Sequence, residues 1–157
     1  FTPLQRSYSL SIKPVTVPSG KESKLLILQL DNIGRKTPVS SSWDNGFVTA
    51  NPRTFGTFFI GIDTVPPRIT PNGFSAGANL TGKSGMRIKI SDDLAGIKSY
   101  EPLIDGKWAL FEYDQKNDVL IHTFDSDRIQ KGTKHRLSVK VTDNCNNQST
   151  WDCEFVW

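Results

Sequence analysis

Apolar and polar residues alternate with a period of two along most of the chain, and Gly, Pro, Asn and Asp interrupt the alternation at short intervals. No segment sustains apolar residues at helical spacing, so the pattern predicts strands throughout. In the first half, Tyr8, Leu10 and Ile12 alternate with Ser7, Ser9 and Ser11, a half-buried strand ended by Pro14 and Pro18. Leu25 to Leu30 is apolar except for Gln29, which predicts a strand covered on both faces. Ser40 to Asn45 reads as a polar loop carrying Trp43. Phe47 to Ala50 and Thr54 to Ile62 read as a hairpin with Asn51-Pro52 in the turn. That is about four strands where a standard sandwich has seven or more. The first half is therefore either a truncated sandwich whose early strands precede Phe1, or a small unit that leans on its neighbour.

The second half is more regular. A short strand surrounds Ile69, and Met86, Ile88 and Ile90 alternate with Arg87 and Lys89. Ile97 to Ile104 follows, with Pro102 suggesting a sheet edge. Asp105-Gly106 is a strong two-residue hairpin signal, from which Lys107 to Tyr113 returns as one strand. Val119 to Phe124, then Leu137, Val139 and Val141 in alternation, then Gln148 to Trp157 complete seven predicted strands in a Greek key. The fold class is all-β: two immunoglobulin-like or fibronectin-like sandwich modules in tandem. The predicted boundaries are a first module over 1–63, a Pro-rich joint over 64–67 and a seven-stranded sandwich over 68–157. Consecutive prolines favour extended backbone, so Pro66 and Pro67 read as a stiff structural joint.

Composition narrows the function classes. With 157 residues there is room for one ordinary domain or two small ones. The net charge is +3, and Lys and Arg are scattered along the chain, unlike the clustered footprint of a nucleic-acid binder. No apolar run approaches the roughly 20 residues of a membrane span. The opening Phe1-Thr2-Pro3 reads as a processed or trimmed piece of something longer. Cys145 falls in a predicted turn and Cys153 on the apolar face of the last strand; both are expected as free thiols, with Cys153 buried.

Several motifs invite a chemical reading. Gly77 to Ser84 matches the phosphate-loop pattern G-x-x-x-x-G-K-[ST], but that mechanism needs a helix to follow, and Gly85 to Ile90 reads as a strand. Gly73 to Gly77 matches the hydrolase elbow around Ser75, again without a strand-to-helix turn. His122 and His135 lack metal-ligand spacing and read as strand residues. Asp92, Asp93 and Asp143 sit in acid-rich turns at strand ends, where carboxylates could gather around calcium. Capping of their own turns is the favoured reading, and calcium the weaker one. Trp43, Trp108 and Tyr113 are the aromatics least committed to a core; exposed in a stripe they would form a sugar platform, though aromatics on sandwich strands more often fill the interior.

Several segments resemble a known family: Asp63-Thr64-Val65-Pro66-Pro67, Asp92 to Tyr100, Ile104 to Trp108, Leu110 to Asp114 and Val141 to Asn144. They are similar to the C-terminal β-sandwich region of Bacteroidetes zinc metallopeptidases of the lysostaphin (LytM) type. Pro18 to Lys24 and Trp43 to Gly46 extend the resemblance into the first half. The family's zinc ligands come from H-x-x-x-D and H-x-H segments upstream of this region. Neither occurs here, so no catalytic residue carries over and zinc is expected only in the peptidase domain. The resemblance implies a non-catalytic accessory region whose partners are that peptidase domain and, as a further candidate, peptidoglycan or another glycan. It also implies a cell-envelope location, periplasmic or at the cell surface. A carbohydrate- or wall-binding module and a surface adhesin fragment are the alternatives.

Overall fold

The computed structural model describes residues 3–157. These form fourteen strands and one 3-10 turn, Glu22–Lys24. They divide into two compact units. Among the described residues, the first comprises 3–65 with 93–96 and 144–147; the second comprises 66–92, 97–143 and 148–157. A division at a single point in the chain therefore does not describe the units, because two short later segments fall in the first.

The first unit packs two three-stranded antiparallel sheets. One has β5 (Phe47–Ala50) between β1 (Leu10–Ile12) and β4 (Ser41–Asp44); the other has β2 (Leu25–Leu30) between β3 (Lys36–Val39) and β6 (Thr57–Ile62). Its strand β2 is buried on both faces, for the reason its unbroken apolar run suggests. Leu25 and Ile27 join Val48 and Ala50 in one cluster, with Trp43, Phe58 and Ile60 packed against it. Leu26 and Leu28 face the other way, into a second cluster with Phe59, Leu94, Ala95 and Cys145. Gly61 lies opposite Leu26, and a Cβ there would approach Leu28 Cδ1 to 2.6 Å.

Three expectations fail in this unit. Ser40 to Asn45 is not a loop: Ser41–Asp44 is β4, joined to β5 by Asn45-Gly46, both at positive φ (47° and 85°). That Asn-Gly pair is the tight-hairpin signal. Phe47–Ala50 and Thr57–Ile62 are not a hairpin but lie in different sheets, since all six residues of β6 pair with β2. Strand β3 escaped the sequence pattern because it is an exposed edge of mixed polarity carrying Pro38. The unit thus has six strands instead of about four.

The second unit is an eight-stranded Greek-key sandwich. One sheet runs β11 (Glu112–Asp114), β12 (Val119–Thr123), β8 (Gly85–Ser91), β7 (Arg68–Asn72); the other runs β10 (Lys107–Trp108), β9 (Ile97–Ile104), β13 (Lys134–Asp143), β14 (Gln148–Val156). Alternation sets the interior: Met86, Ile88 and Ile90 of β8 meet Leu137, Val139 and Val141 of β13, with Leu120, Phe124 and Phe155 between them. Gly85 opposes Thr123, and a Cβ at Gly85 would stand 2.1 Å from the His122 carbonyl oxygen.

Two details differ from the sequence pattern. Lys107 to Tyr113 is not one strand; the chain changes sheets at 109–111, which raises seven strands to eight. Buried Phe111 anchors the crossing, its carbonyl accepting a hydrogen bond from the Tyr100 hydroxyl at 3.2 Å. Pro102 is not on an edge strand, because β9 lies between β10 and β13. Its carbonyl accepts from Ala109 N–H at 3.1 Å, on the β10 flank. The missing imide N–H falls on that same flank, where the ladder with β10 has already ended at Leu103.

Candidate functional site

Among the acidic and polar turn residues, Asp63 and Asn144 hold backbone groups in place. Asp63, not singled out from sequence, is buried in the first unit. Its carboxylate accepts from the N–H groups of Val65 (3.0 Å) and Ala95 (2.9 Å), and its carbonyl accepts from Asn147 Nδ2 (3.1 Å). Asn144 Nδ2 donates to the Ala95 carbonyl at 2.8 Å, and Lys24 Nζ to the Cys145 carbonyl at 2.9 Å. Through its carboxylate and its carbonyl, this one residue ties three separate segments of the unit together. In the second unit, Asp143 is fully buried at the end of β13, and it has a carboxylate oxygen within 4.8 Å of one from Asp92. Asp93 is exposed and belongs to the first unit. Asp92, Asp93 and Asp143 all have partners.

Asp105 and Gly106 make the β9–β10 turn, at φ 52° and 75°. Asp105 Oδ1 accepts from Arg136 N–H at 2.9 Å, and Oδ2 meets His135 Nδ1 at 2.7 Å. Partial burial alone would raise this carboxyl. The hydrogen bonds from His135 and Arg136, with the charges of His135 and Lys107, hold it below the ordinary range. His135 Nε2 in turn reaches the Gln130 carbonyl at 2.8 Å, pinning the loop before β13.

The three aromatic candidates separate. Trp43 packs against the first unit's core. Tyr113 packs against the second unit's core beside Tyr100, their ring centroids 5.8 Å apart. Burial, then the charge and hydrogen bond of Asp118, push the Tyr113 hydroxyl up. Trp108 alone stays in solvent, 64% exposed on the two-residue β10.

Trp108 borders a cleft of about 900 Å³ in the second unit. Its walls are the sheet-changing segment from Trp108 to Leu110, the end of β12 and the loop from Asp125 to Lys131. That loop is held by the Asp125 carbonyl, which accepts from Arg128 (3.0 Å) and Ile129 (2.9 Å), and by Lys131 Nζ lying 5.3 Å from the Trp157 ring. The volume falls within the range of small-molecule sites. His122 lines the cleft, only 7% exposed, with its ring stacked on Phe111 at 4.7 Å. Its Nδ1 lies 2.7 Å from the Leu110 carbonyl, which can only accept, so Nδ1 carries the proton. Burial lowers its pKa and keeps the ring neutral. Nε2 is then a lone-pair acceptor with no donor, the one such buried side-chain atom among the described residues. Leaving it unpaired costs about 1–3 kcal/mol. The sequence hinted at the cleft through Trp108, but its walls come from segments whose sheet change carries no periodic signal.

The phosphate-loop match does not form a phosphate cradle. Gly77 N–H and Leu80 N–H donate to the carbonyls of Glu154 and Val156 at 2.7 Å each, so the loop runs beside β14, and β8 follows it. Ser75 lies in an exposed turn whose carbonyl accepts from Ala78 N–H. Neither Cys145 nor Cys153 is in a disulfide, and both are buried. The Cys153 thiol is pushed up to about 11 by burial, then by the charge of Asp152.

Residues 1–63 match the model of a Zu5-like domain. A comparison with curated proteins gave no match. Among solved structures, the chain is similar to an endo-β-1,4-mannanase from Thermotoga petrophila, at 10% identity and a TM-score of 0.48, over 60% of this chain and 20% of that one. It is also similar to fibronectin(III)-like modules of Clostridium thermocellum CbhA, at 14% identity and a TM-score of 0.42, over 94% of this chain and 84% of that one. The chain thus spans a fifth of the mannanase's length.

Proposed function

We propose that this chain is a non-catalytic accessory region that spaces or positions a catalytic domain of an exported cell-envelope protein. The observation that supports it is the use made of the acidic and polar turn residues. Asp63, Asp105 and Asn144 each hold backbone groups in place. Side chains spent on fixing loops suit a positioning role. The finer reading is that the parent is a peptidoglycan metallopeptidase of the lysostaphin type. It rests on the segments from Asp63 to Pro67, Asp92 to Tyr100 and Val141 to Asn144.

The test is direct. The purified chain should release no dye-labelled fragments from peptidoglycan, and robust release would end the accessory reading. The reading frame upstream of Phe1 should encode H-x-x-x-D and H-x-H segments; a frame without them removes the peptidase parent. A second reading, a carbohydrate-binding module, is favoured by one observation, the exposed Trp108 beside a cleft.

A further inference from the structure

We propose that the cleft beside Trp108 binds a neutral oligosaccharide, with the indole as its platform and His122 Nε2 as a hydroxyl acceptor. This deepens the carbohydrate-binding reading and rests on it; the spacer reading stands or falls separately.

Three independent features meet at this cleft. The first is the platform. Trp108 keeps its indole in solvent although its cross-strand neighbour Leu103 and nearby Leu110 are also exposed. An aromatic face left open beside apolar neighbours offers the surface that the C–H face of a pyranose ring covers, while the indole N–H remains available to a hydroxyl. The second is the charge balance of the lining. Asp105, Glu112, Asp125 and Asp127 are offset by Lys107, Arg128 and Lys131. Four acids against three bases create no strong field for an anion or a cation. They supply closely spaced acceptors and donors instead, which suits a ligand whose hydroxyls do both.

The third feature is His122. Its tautomer is fixed by the Leu110 carbonyl, so Nε2 can only accept. A hydroxyl proton is the donor it lacks. The atom has less than 1 Å² of exposed surface, so the proposed contact requires the side chains that cover it to part. The Asp125–Ile129 turn keeps one wall in place, and the sheet change at 109–111 supplies the other.

The experiment is a two-dimensional NMR titration of the whole chain with three soluble probes: cellotetraose, tetra-N-acetylchitotetraose and tetragalacturonate. At least one neutral tetrasaccharide should shift the Trp108 indole N–H and the His122 ring nitrogens, saturating at about millimolar concentration. Trp108→Ala should weaken that binding about tenfold or more with the remaining spectrum unchanged, because the side chain is exposed. Three results would overturn the proposal: no shift at Trp108 with either neutral probe, tighter binding of the uronate than of both neutral probes, or binding that survives Trp108→Ala. A Trp108 shift without movement of the His122 ring nitrogens would remove His122 from the site. The peptidoglycan-release assay reports on the accessory reading whatever these titrations show.

Discussion

The two units solve the same burial problem with different amounts of chain. The second closes around paired four-stranded sheets, and its alternating strands each offer one face to a single interior. The first has three-stranded sheets and a central strand that is apolar on both sides. Its inner face finds Val48 and Ala50 in the unit's own hairpin, while its outer face is covered by Leu94, Ala95 and Cys145 from 93–96 and 144–147. A small sandwich can be completed by a few residues from far along the chain when one of its strands has no polar face to show to water.

The largest effect that would sharpen this contrast is truncation. A fragment ending at Val65 loses the cover over Leu26 and Leu28 and the Ala95 donor to Asp63, so its amide spectrum should collapse to random-coil positions. A dispersed spectrum from that fragment would break the comparison. Phe155→Ala, at the centre of the second unit, should cost about 3–5 kcal/mol in denaturant titration. A loss no larger than that of an exposed substitution would mean the interior is not where the energy lies. Next come two changes of about 1–3 kcal/mol. Asp63→Ala leaves the Val65 and Ala95 N–H groups without their acceptor, while Gly85→Ala drives a methyl into the His122 carbonyl. If either proves neutral by thermal melting, the backbone around it is looser than drawn.

Acid titration gives a smaller effect, and its sign follows from the shifts. The folded His122 pKa lies below 6.5, so protons favour the unfolded chain. That contribution is full above pH 6.5 and is lost as the pH falls from there through the folded value. Asp105, held below 3.8, contributes above that value and loses its contribution as the pH drops through its lowered pKa. A melting temperature flat between pH 7 and 5 would contradict the neutral, buried ring. The smallest expected change is at Trp108, where replacement by Ala should alter stability by no more than about 0.5 kcal/mol.

Much of this was legible in the chain, and the misses have physical causes. Burial of one strand face prints a period of two, so β8 and β13 are visible directly in Met86 to Ile90 and Leu137 to Val141, whereas burial of both faces prints the unbroken apolar run Leu25–Leu30 of β2. Edge strands bury little and print little, which hid β3. Ser41–Asp44 was obscured by its serines, although Asn45-Gly46 marked the turn that follows it. The sheet change at 109–111 was invisible because both halves of that segment keep ordinary strand composition. At the site, Trp108 was among the named aromatics, but Trp43 and Tyr113 could not be told from it: exposure depends on what lies across the sheet. Asp63 stands in the sequence only as the last residue of the first module, since a carboxylate that holds residues 65 and 95 has no signature in local spacing.

The turn at Asp105-Gly106 has a consequence for how this molecule ages. Among aspartyl dipeptides, aspartate followed by glycine is the one most prone to close into a succinimide and reopen as isoaspartate. That reaction needs the glycine nitrogen to reach a protonated, freely rotating carboxyl. Here the carboxyl is held ionised, and both its oxygens are engaged, one by Arg136 N–H and the other by the His135 ring. The same contacts that fix the hairpin therefore act as a chemical preservative, protecting a bond that any loosening of β13 would expose to slow rearrangement.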